Sequence, residues 1–562
     1  MIRRNRIIGL SLVFLLFFAA LFGRLFYLQV CQHADFQKMS LQQIRRTIAV
    51  PAKRGNIYDR RGTLLAATVD SAMVYVDCLH LADPEQAAAQ LAAALQMPRA
   101  EVAARLQNPN AYVLLKRRLS EQEAAALRRL KLKGVHLLHD QKRIYLREQL
   151  AANVLGFVDQ DNQGRGGLEY FQEKYLQGIP GELIIEIDPS GRELHAGERL
   201  LKEPHDGDNI TLTIDEFLQY IARKYLAAAV REERADGGSA IIMDVRSGQI
   251  LAMVSLPDYD PNRYFAYPPE NLRNNTMQTI YEPGSVFKLI TVAAALDSGL
   301  ASSNTTIING NIFEISGQSI RESHPLKDPE RPRMLKDIII DSLNISAAKL
   351  ALQLGKEKMY EYMDKFQLSS RTDIQLAGES AGVRSPLAQV QPLDLAVSGY
   401  GHGFGVTPLQ MISAVNAIAN DGKYVKPSIV LNISDNKGDL LRDFAKTVQT
   451  KQIIRPQTAW DIRLMMQECV QKGSGILAGL PGYSIGGKTG TSQKTNPNGR
   501  GYLPGSYVSS FAGVLPGNKP RLSILVIIDN PKKSYFGGQT AAPVFREIAR
   551  EAARYLAIPE DI

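Results

Sequence analysis

Ser285 and Lys288 stand three residues apart in YEPGSVFK, a spacing that puts both side chains on one face of a helix. A serine hydroxyl is a poor nucleophile until a base takes its proton. A lysine serves as that base when burial and a nearby cation lower its pKa. Pro283 and Gly284 punctuate the chain here, and Val286 to Leu296 (VFKLITVAAAL) reads as a buried helix. Lys288 would therefore face apolar surroundings, where an ammonium needs a reason to be. Ser285 near the helix N-terminus would also set a developing oxyanion beside free backbone N–H groups. Alone the pattern is weak, since roughly one or two chance S-x-x-K matches are expected in a chain of this length.

Two further short motifs follow in order. SLN holds Ser342 and Asn344, 57 residues after Ser285, and KTGTSQK holds Lys488, Thr489, Gly490 and Thr491, 146 residues after Ser342. Ser342 and Asn344 sit in DSLNISAAKLA, between two helical stretches. Alternate residues of a short turn can point the same way, so a hydroxyl could relay a proton and an amide could hold both a lysine and a substrate carbonyl. An isolated S-x-N is more simply a helix cap. KTGTSQK follows GYSIGG and precedes a glycine-rich polar loop. In an edge strand Lys488 and Gly490 would face one side, Thr489 and Thr491 the other. Gly490 would admit a substrate backbone. The lysine and the threonine hydroxyls suit a carboxylate ligand, and Lys488 is a candidate for the cation near Lys288. The three motifs in this order form a serine acyl-transferase signature that no single one of them provides.

The elements that must position these residues are legible in outline. The 562-residue chain is long enough for two to four domains, and 45% hydrophobic with 22% charged residues is ordinary globular composition. A net charge of +9 suits an anionic membrane surface or a carboxylate-rich polymer. No zinc-finger pattern or long basic tract points to nucleic acid. Cys31, Cys78 and Cys469 are too few and too scattered for a disulfide framework or a metal site, and neither a metal nor a cofactor is expected.

Arg3, Arg4 and Arg6 precede the apolar run Ile7 to Gly23, and Leu25 to Val30 extend it. Residues 7–30 predict a membrane-spanning anchor, with residues 1–6 cytoplasmic and the body outside. No A-x-A cleavage site follows the run, and Gln29 and Val30 before Cys31 do not suit a lipoprotein. Beyond the anchor, residues 45–205 read as a mixed strand and helix region. It has β-like runs at Arg46 to Val50 and Ala72 to Asp77, and Ala-rich helices at Glu85 to Leu95 and Ser120 to Leu130. SEQE at Ser120 is a capping-box pattern. The polar turn PHDGD (Pro204 to Asp208) marks a boundary.

From residue 209 to 562, ITLTID reads as a strand and Glu216 to Arg231 as a helix. SAIIMDV and QILAMVS read as two strands joined by the turn Arg246-Ser247-Gly248, and SSFAGVLP and LSILVIID as a second apolar hairpin. A closing helix is expected over Pro543 to Ala557. Strands at both ends with a helical middle imply one sheet assembled from distant parts, an α+β domain.

The sequence resembles the class B penicillin-binding proteins over nearly its whole length, and within them most resembles the cell-division (FtsI) type. RLFYLQV after the anchor, RGNIYDRRG (Arg54 to Gly62), GGLEYFQEKYLQGIPG (Gly166 to Gly181) and DPSGRE (Asp188 to Glu193) are similar to boxes of the family's N-terminal and pedestal regions. GHGFGVTPLQMISAVNAIANDG (Gly401 to Gly422) is similar to a structural helix box of its transpeptidase domain, and NNTMQTIYEPGSVFK is more like the division branch than the elongation branch. Val286 stands where many division-branch members carry serine or threonine.

The resemblance implies a pedestal (dimerisation) domain over 45–205 and a transpeptidase domain over 209–562, the latter an α/β fold with a five-stranded antiparallel sheet flanked by helices. It also implies the reaction. Ser285 would attack the penultimate D-alanine carbonyl of a peptidoglycan stem pentapeptide, terminal D-alanine would leave, and an amine of a neighbouring stem would resolve the acyl-enzyme. By the same resemblance Lys288 is the base, Ser342 relays a proton, and Asn344 orients Lys288 and the substrate amide. Lys488, Thr489 and Thr491 hold the terminal carboxylate, and the N–H groups of Ser285 and Thr491 form the oxyanion hole. β-Lactams are the implied inhibitors, with a separate membrane glycosyltransferase and other division proteins as partners. The alternatives are an elongation-type transpeptidase and a β-lactam sensor or hydrolase.

Overall fold

The computed structural model describes residues 2–107, 112–187, 193–496, 499 and 501–562. These divide into two compact units, one of Met1–Lys53 with Gly178–Asp206, the other of Arg54–Gln177 with Gly207–Ile562.

The first unit begins with the helix Ile2–Phe26, continued by a wider turn over Tyr27–Cys31. Arg3–Cys31 is long and apolar enough to cross a bilayer, and Leu10, Phe14, Phe17 and Phe22 are all exposed on it. A helix that is apolar on every side has lipid as its natural solvent. A second helix, His33–Ile44, leads into Arg45–Val50. That strand pairs antiparallel with Gly181–Ile187, which pairs in turn with Glu193–Lys202. Residues 188–192, most of the DPSGRE segment, lie outside the described residues.

In the second unit, Arg54–Gln177 builds around the long strand Leu64–Asp77, flanked by Tyr112–Leu119 and Val135–Tyr145. Helices Pro84–Leu95, Arg99–Leu106 and Glu121–Leu130 close a core of Val74, Leu91, Val102, Leu115 and Leu127 over it. Ser120 caps the third of these helices in a full capping box with Glu123. The two family-like boxes of this region meet through Glu169, which is buried between Arg54 (2.5 Å) and Arg143 (2.8 Å). The paired guanidiniums outweigh burial and hold the Glu169 carboxyl below its ordinary range.

One sheet joins this region to the rest of the unit. Ile57–Tyr58 runs parallel to Asn209–Leu212, which pairs on its other side with Val430–Ser434. The sheet so formed has seven strands among the described residues. Sequence patterning identifies a strand at ITLTID (Ile210 to Asp215), which the structure places at Asn209–Leu212, but not this partnership, because each contributing segment is only a few residues long.

The main elements of the remainder are α1 (Glu216–Glu232), β1 (Gly237–Asp244), β2 (Ile250–Leu256), α2 (Lys288–Asp297), α3 (Asn344–Leu354), α4 (Pro408–Ala419), α5 (Pro456–Lys472), β3 (Gly486–Thr495), β4 (Tyr502–Leu515), β5 (Leu522–Asp529) and α6 (Gly537–Tyr555). The five strands form one sheet in the order β2-β1-β5-β4-β3, with every neighbouring pair antiparallel. Both faces of β1, β2 and β5 are buried, which is why these strands read as continuous apolar runs. Ala240, Ile242, Ile524 and Val526 pack on one face with Leu218, Leu226, Phe545 and Ile548 of α1 and α6. Ile241, Met243, Leu525 and Ile527 pack on the other, in the core that includes Leu289 and Val292 of α2 and Val415 of α4.

α6 departs from its expected start at Pro543. It begins six residues earlier, at Gly537, and holds Pro543 within it. The entry is fixed by close approach. A Cβ on Gly537 would stand 2.3 Å from the Ser510 carbonyl oxygen and 2.4 Å from that of Gly490, and its N–H donates to Thr491 Oγ1. Pro543 lacks an N–H to donate back along the helix, yet α6 absorbs it because Ala541, Phe545 and Ile548 are buried against the sheet.

Candidate active site

Ser285 lies in a tight helical turn, Gly284–Phe287, that runs directly into α2. The turn is wedged between two glycine-bearing segments. Gly284 has φ +54°, and a Cβ there would stand 2.9 Å from the Thr491 carbonyl oxygen. Its N–H donates to Gly401 O at 3.0 Å, and a Cβ on Gly401 would stand 2.1 Å from Gly284 O. Glycine is needed at both places, for the left-handed backbone and for the contact. Ser285 is half-buried at the head of the helix, whereas Lys288 is 0% exposed.

Lys288 Nζ donates to Ser342 O (2.5 Å), Asn344 Oδ1 (2.7 Å) and Ser342 Oγ (3.3 Å). Sequence spacing puts the Ser285 hydroxyl beside this amine. In the structure the three bonds of Lys288 all go to the SLN turn. Burial pushes the Lys288 pKa well below its ordinary value, and the Lys488 cation pushes it further, against a smaller opposing effect of Glu322.

Ser342 occupies the turn between the short helix Asp337–Ile340 and α3, with φ +60°. A serine in the left-handed region carries strain that its surroundings must hold. Here α3 does so through a carboxylate distant in sequence. Glu322 Oε2 accepts from Asn344 N (2.9 Å) and its Oε1 from Ile345 N (2.8 Å), which caps the helix. Asn309 in turn donates to Glu322 Oε1 and accepts from the Ser346 N–H and hydroxyl.

Lys488 reaches the same turn from the edge strand β3. Its Nζ donates to Ser342 Oγ at 3.0 Å and to the carbonyl and hydroxyl of Thr489 at 3.1 and 3.3 Å. It is 0% exposed, and burial lowers its pKa. Thr489 Oγ1 is 2.8 Å from Ser474 Oγ. Gly490 packs against the turn that carries Ser285, since a Cβ there would stand 2.9 Å from Val286 Cγ2 and 3.1 Å from Pro283 O. Thr491 Oγ1 accepts from Gly537 N at 3.2 Å, on the α6 side of the strand. The structure thus brings Lys288, Ser342, Asn344, Lys488 and Thr489 into one hydrogen-bonded group, with Gly490 and Thr491 against the turn that carries Ser285. Such a group can hand a proton between a hydroxyl, a neutral amine and a second hydroxyl, beside a fixed cation.

Residues 238–550 match the family described as penicillin binding protein transpeptidase domain, and residues 49–212 the penicillin-binding protein dimerisation domain. The chain belongs to the class B penicillin-binding proteins. This penicillin-binding protein is 34% identical to a probable peptidoglycan D,D-transpeptidase PbpC of Pseudomonas aeruginosa, across 100% of this chain and 97% of that one. It is 31% identical to stage V sporulation protein D of Bacillus subtilis (99% and 86%) and to the peptidoglycan D,D-transpeptidase FtsI of Escherichia coli (97% and 91%). Among solved structures it is similar to penicillin binding protein 3 of Mycobacterium tuberculosis complexed with aztreonam, with TM-score 0.72 and 26% identity over 92% of this chain and 98% of that one. A peptidoglycan synthetase of Bifidobacterium adolescentis shares the fold at TM-score 0.74 and 23% identity, over 92% and 98%. The protein is an enzyme, a peptidoglycan D,D-transpeptidase.

Several residues around the site of this penicillin-binding protein escape sequence reasoning. Glu322, Asn309 and Ser474 are isolated polar residues whose contacts are made 15 to 37 residues away. Glu282 is three residues before Ser285 and carries no motif signal beyond YEPGS itself. It is 8% exposed, and burial raises its carboxyl pKa. His402, 3.7 Å from it, is pushed toward its neutral form chiefly by burial, with its pKa lowered to about 4.

Proposed function

We propose that Ser285 is the acyl nucleophile of this transpeptidase and Lys288 its base. Ser285 Oγ attacks the carbonyl carbon of the penultimate D-alanine of a stem pentapeptide while its proton passes to the neutral Lys288 amine. The N–H groups of Ser285 and Thr491 receive the oxyanion. The C–N bond breaks, and the departing D-alanine amine takes a proton through Ser342. The amine of a neighbouring stem then attacks the ester, its proton returns by way of Lys288, and Ser285 Oγ leaves as the hydroxyl. Asn344 holds Lys288 and the substrate amide. Lys488, Thr489 and Thr491 hold the terminal carboxylate. β3 is the edge of its sheet, so an extended peptide could add to it as a further strand. A penicillin, a strained amide beside a carboxylate, acylates Ser285 and stays.

The observation that supports this most directly is the meeting of Lys288 and Lys488 on Ser342 Oγ. One buried cation beside another makes a neutral lysine available near neutral pH. Mass spectrometry of the penicillin adduct tests the reading. A mass increment on Ser285 that persists for hours is expected. An adduct on another residue overturns the assignment, and rapid loss of the adduct marks a hydrolase.

The proposal extends to place and partners. The helix Arg3–Cys31 anchors the protein in the cytoplasmic membrane, with Arg3, Arg4 and Arg6 inside and the catalytic body outside. The likeness to FtsI supports septal cross-linking in concert with a membrane glycosyltransferase and other division proteins. A tagged protein at midcell is the expected result. Distribution along the side wall would favour an elongation role.

A further inference from the structure

Glu282 is the meeting point of the three segments that frame the nucleophile turn. Its own backbone leads into Pro283, Gly284 and Ser285, and its carbonyl oxygen accepts from Ser492 Oγ of β3 at 2.8 Å. Its carboxylate accepts from the Gly403 N–H at 2.9 Å, in the glycine loop that also receives the Gly284 N–H. It accepts as well from the Tyr502 hydroxyl, at 3.1 and 3.3 Å to its two oxygens. Tyr502 opens β4 and pairs across the sheet with Thr495, at the end of the strand that carries Lys488 to Thr491. His402 stands beside the carboxylate, with its ring against those of Tyr400 and Tyr502. A single 8% exposed side chain thus ties the far end of the edge hairpin to the glycine loop and to the backbone that sets Ser285.

This arrangement is more than a satisfied core carboxylate. Glu282 lies three residues before Ser285, its carboxylate beside His402 and Tyr502, on the side of the turn where the glycine loop and the edge hairpin meet. Tyr502 is 41% exposed, so burial alone does not fix its hydroxyl, which bonds to the Glu282 carboxylate. Two bonds from Glu282 cross to β3 and β4, beyond the close contacts that Gly284 and Gly490 make between strand and turn.

We propose that Glu282 is a positioning residue for acylation, its carboxylate clasping Tyr502 so that the KTGT strand and the Ser285 turn keep one fixed separation. The proposal rests on Ser285 being the nucleophile. Losing the clasp should lower the rate of covalent reaction more than the affinity for the β-lactam, because the cleft still forms but its two walls no longer hold register.

The test is stopped-flow acylation of the full-length protein by a fluorescent penicillin, resolved into a binding constant and an acylation rate constant, with the adduct located by mass spectrometry. Glu282→Ala and Tyr502→Phe are each expected to lower the acylation rate constant at least tenfold with less than threefold change in the binding constant. The double variant is expected to be no slower than Glu282→Ala. Glu282→Gln is expected to recover most of the rate, since an amide can accept from Gly403 N and donate to the Tyr502 oxygen. Unchanged acylation of Ser285 in Tyr502→Phe overturns the clasp, as does a Glu282→Gln variant no better than Glu282→Ala. An adduct elsewhere than Ser285 instead fails the nucleophile assignment. Glu282→Ala that does not fold leaves Tyr502→Phe, an exposed ring losing one oxygen, to decide the question.

Discussion

Lys288 and Lys488 converge on the same acceptor, the Ser342 hydroxyl, at 3.3 and 3.0 Å. A hydroxyl oxygen has two lone pairs and one proton. With both pairs taken by amines, the Ser342 proton is left to point elsewhere, which suits delivery to a leaving group. The two lysines differ in what holds them. Lys288 is bound wholly by the SLN turn, while Lys488 also keeps two bonds to Thr489 of its own strand. In the proposed mechanism this difference makes Lys488 the fixed cation and Lys288 the group that gains and loses a proton.

Lys288→Arg is expected to abolish penicillin acylation although the charge is kept, because a guanidinium does not give up its proton near neutral pH. A loss of about 10²–10⁴-fold is the usual scale for a missing general base. Gel fluorescence after labelling reads the result, and normal labelling would remove Lys288 from the role.

Acylation should rise with pH and reach a plateau, with a midpoint well below 10.5, the ordinary lysine value. The sign follows from the neutral amine being the active form. In Lys488→Met the midpoint should move upward, since one of the two causes that lower Lys288 is gone. Rate profiles over pH for both proteins check this. In the same window the unfolded chain holds the Lys288 proton more tightly than the folded one. Unfolding free energy should therefore rise with pH, by at most about 1.4 kcal/mol per pH unit from this group.

Ser342→Ala and Ser342→Gly should both lose acylation, but their stabilities should differ. At φ +60° alanine carries the left-handed penalty and glycine does not, a difference of roughly 1 kcal/mol in favour of the glycine variant. Thermal melts paired with labelling separate the two effects.

Glu322→Ala should uncap α3, at a cost of about 0.5–2 kcal/mol. It should also reduce acylation, because Asn344 is the first residue of that helix and holds Lys288. Glu322→Gln, which keeps an acceptor for one of the two N–H groups, should fall between. Denaturant midpoints and labelling rates provide the comparison.

Arg54→Ala leaves Glu169 buried with one guanidinium fewer. Removing one partner of a buried pair costs about 3–5 kcal/mol. Labelling per folded molecule should not change, because this network touches no residue of the site. Calorimetry beside a labelling titration checks both halves.

Much of this arrangement is legible in the sequence, for identifiable reasons. The strands β1, β2 and β5 are apolar on both faces and bounded by turns, and the anchor is a long uninterrupted apolar run. Ser285, Lys288, Ser342, Asn344 and Lys488 could be named together because three short motifs in fixed order are far more specific than any one. The order in which those strands pair could not be read, because sheet neighbours such as β1 and β5 are nearly 280 residues apart. Sequence places the start of α6 at Pro543 because proline signals a helix beginning, and the close approach of Gly537 to β3 and β4 leaves no local trace. Glu322, Ser474 and Tyr502 belong to the site only through contacts that chain order does not record.

The seven-stranded sheet has a practical consequence. Asn209–Leu212 lies between Ile57–Tyr58 and Val430–Ser434, and Asp59 Oδ2 and Arg61 reach Glu216 N and Asp215 at the start of α1. Trimming the polypeptide at residue 206 to express the catalytic portion alone would strip one side of that strand and bare its hydrogen-bonding row, an invitation to self-association. A soluble fragment should instead begin at or before Arg54, so that the catalytic portion keeps the strand on which it is seated.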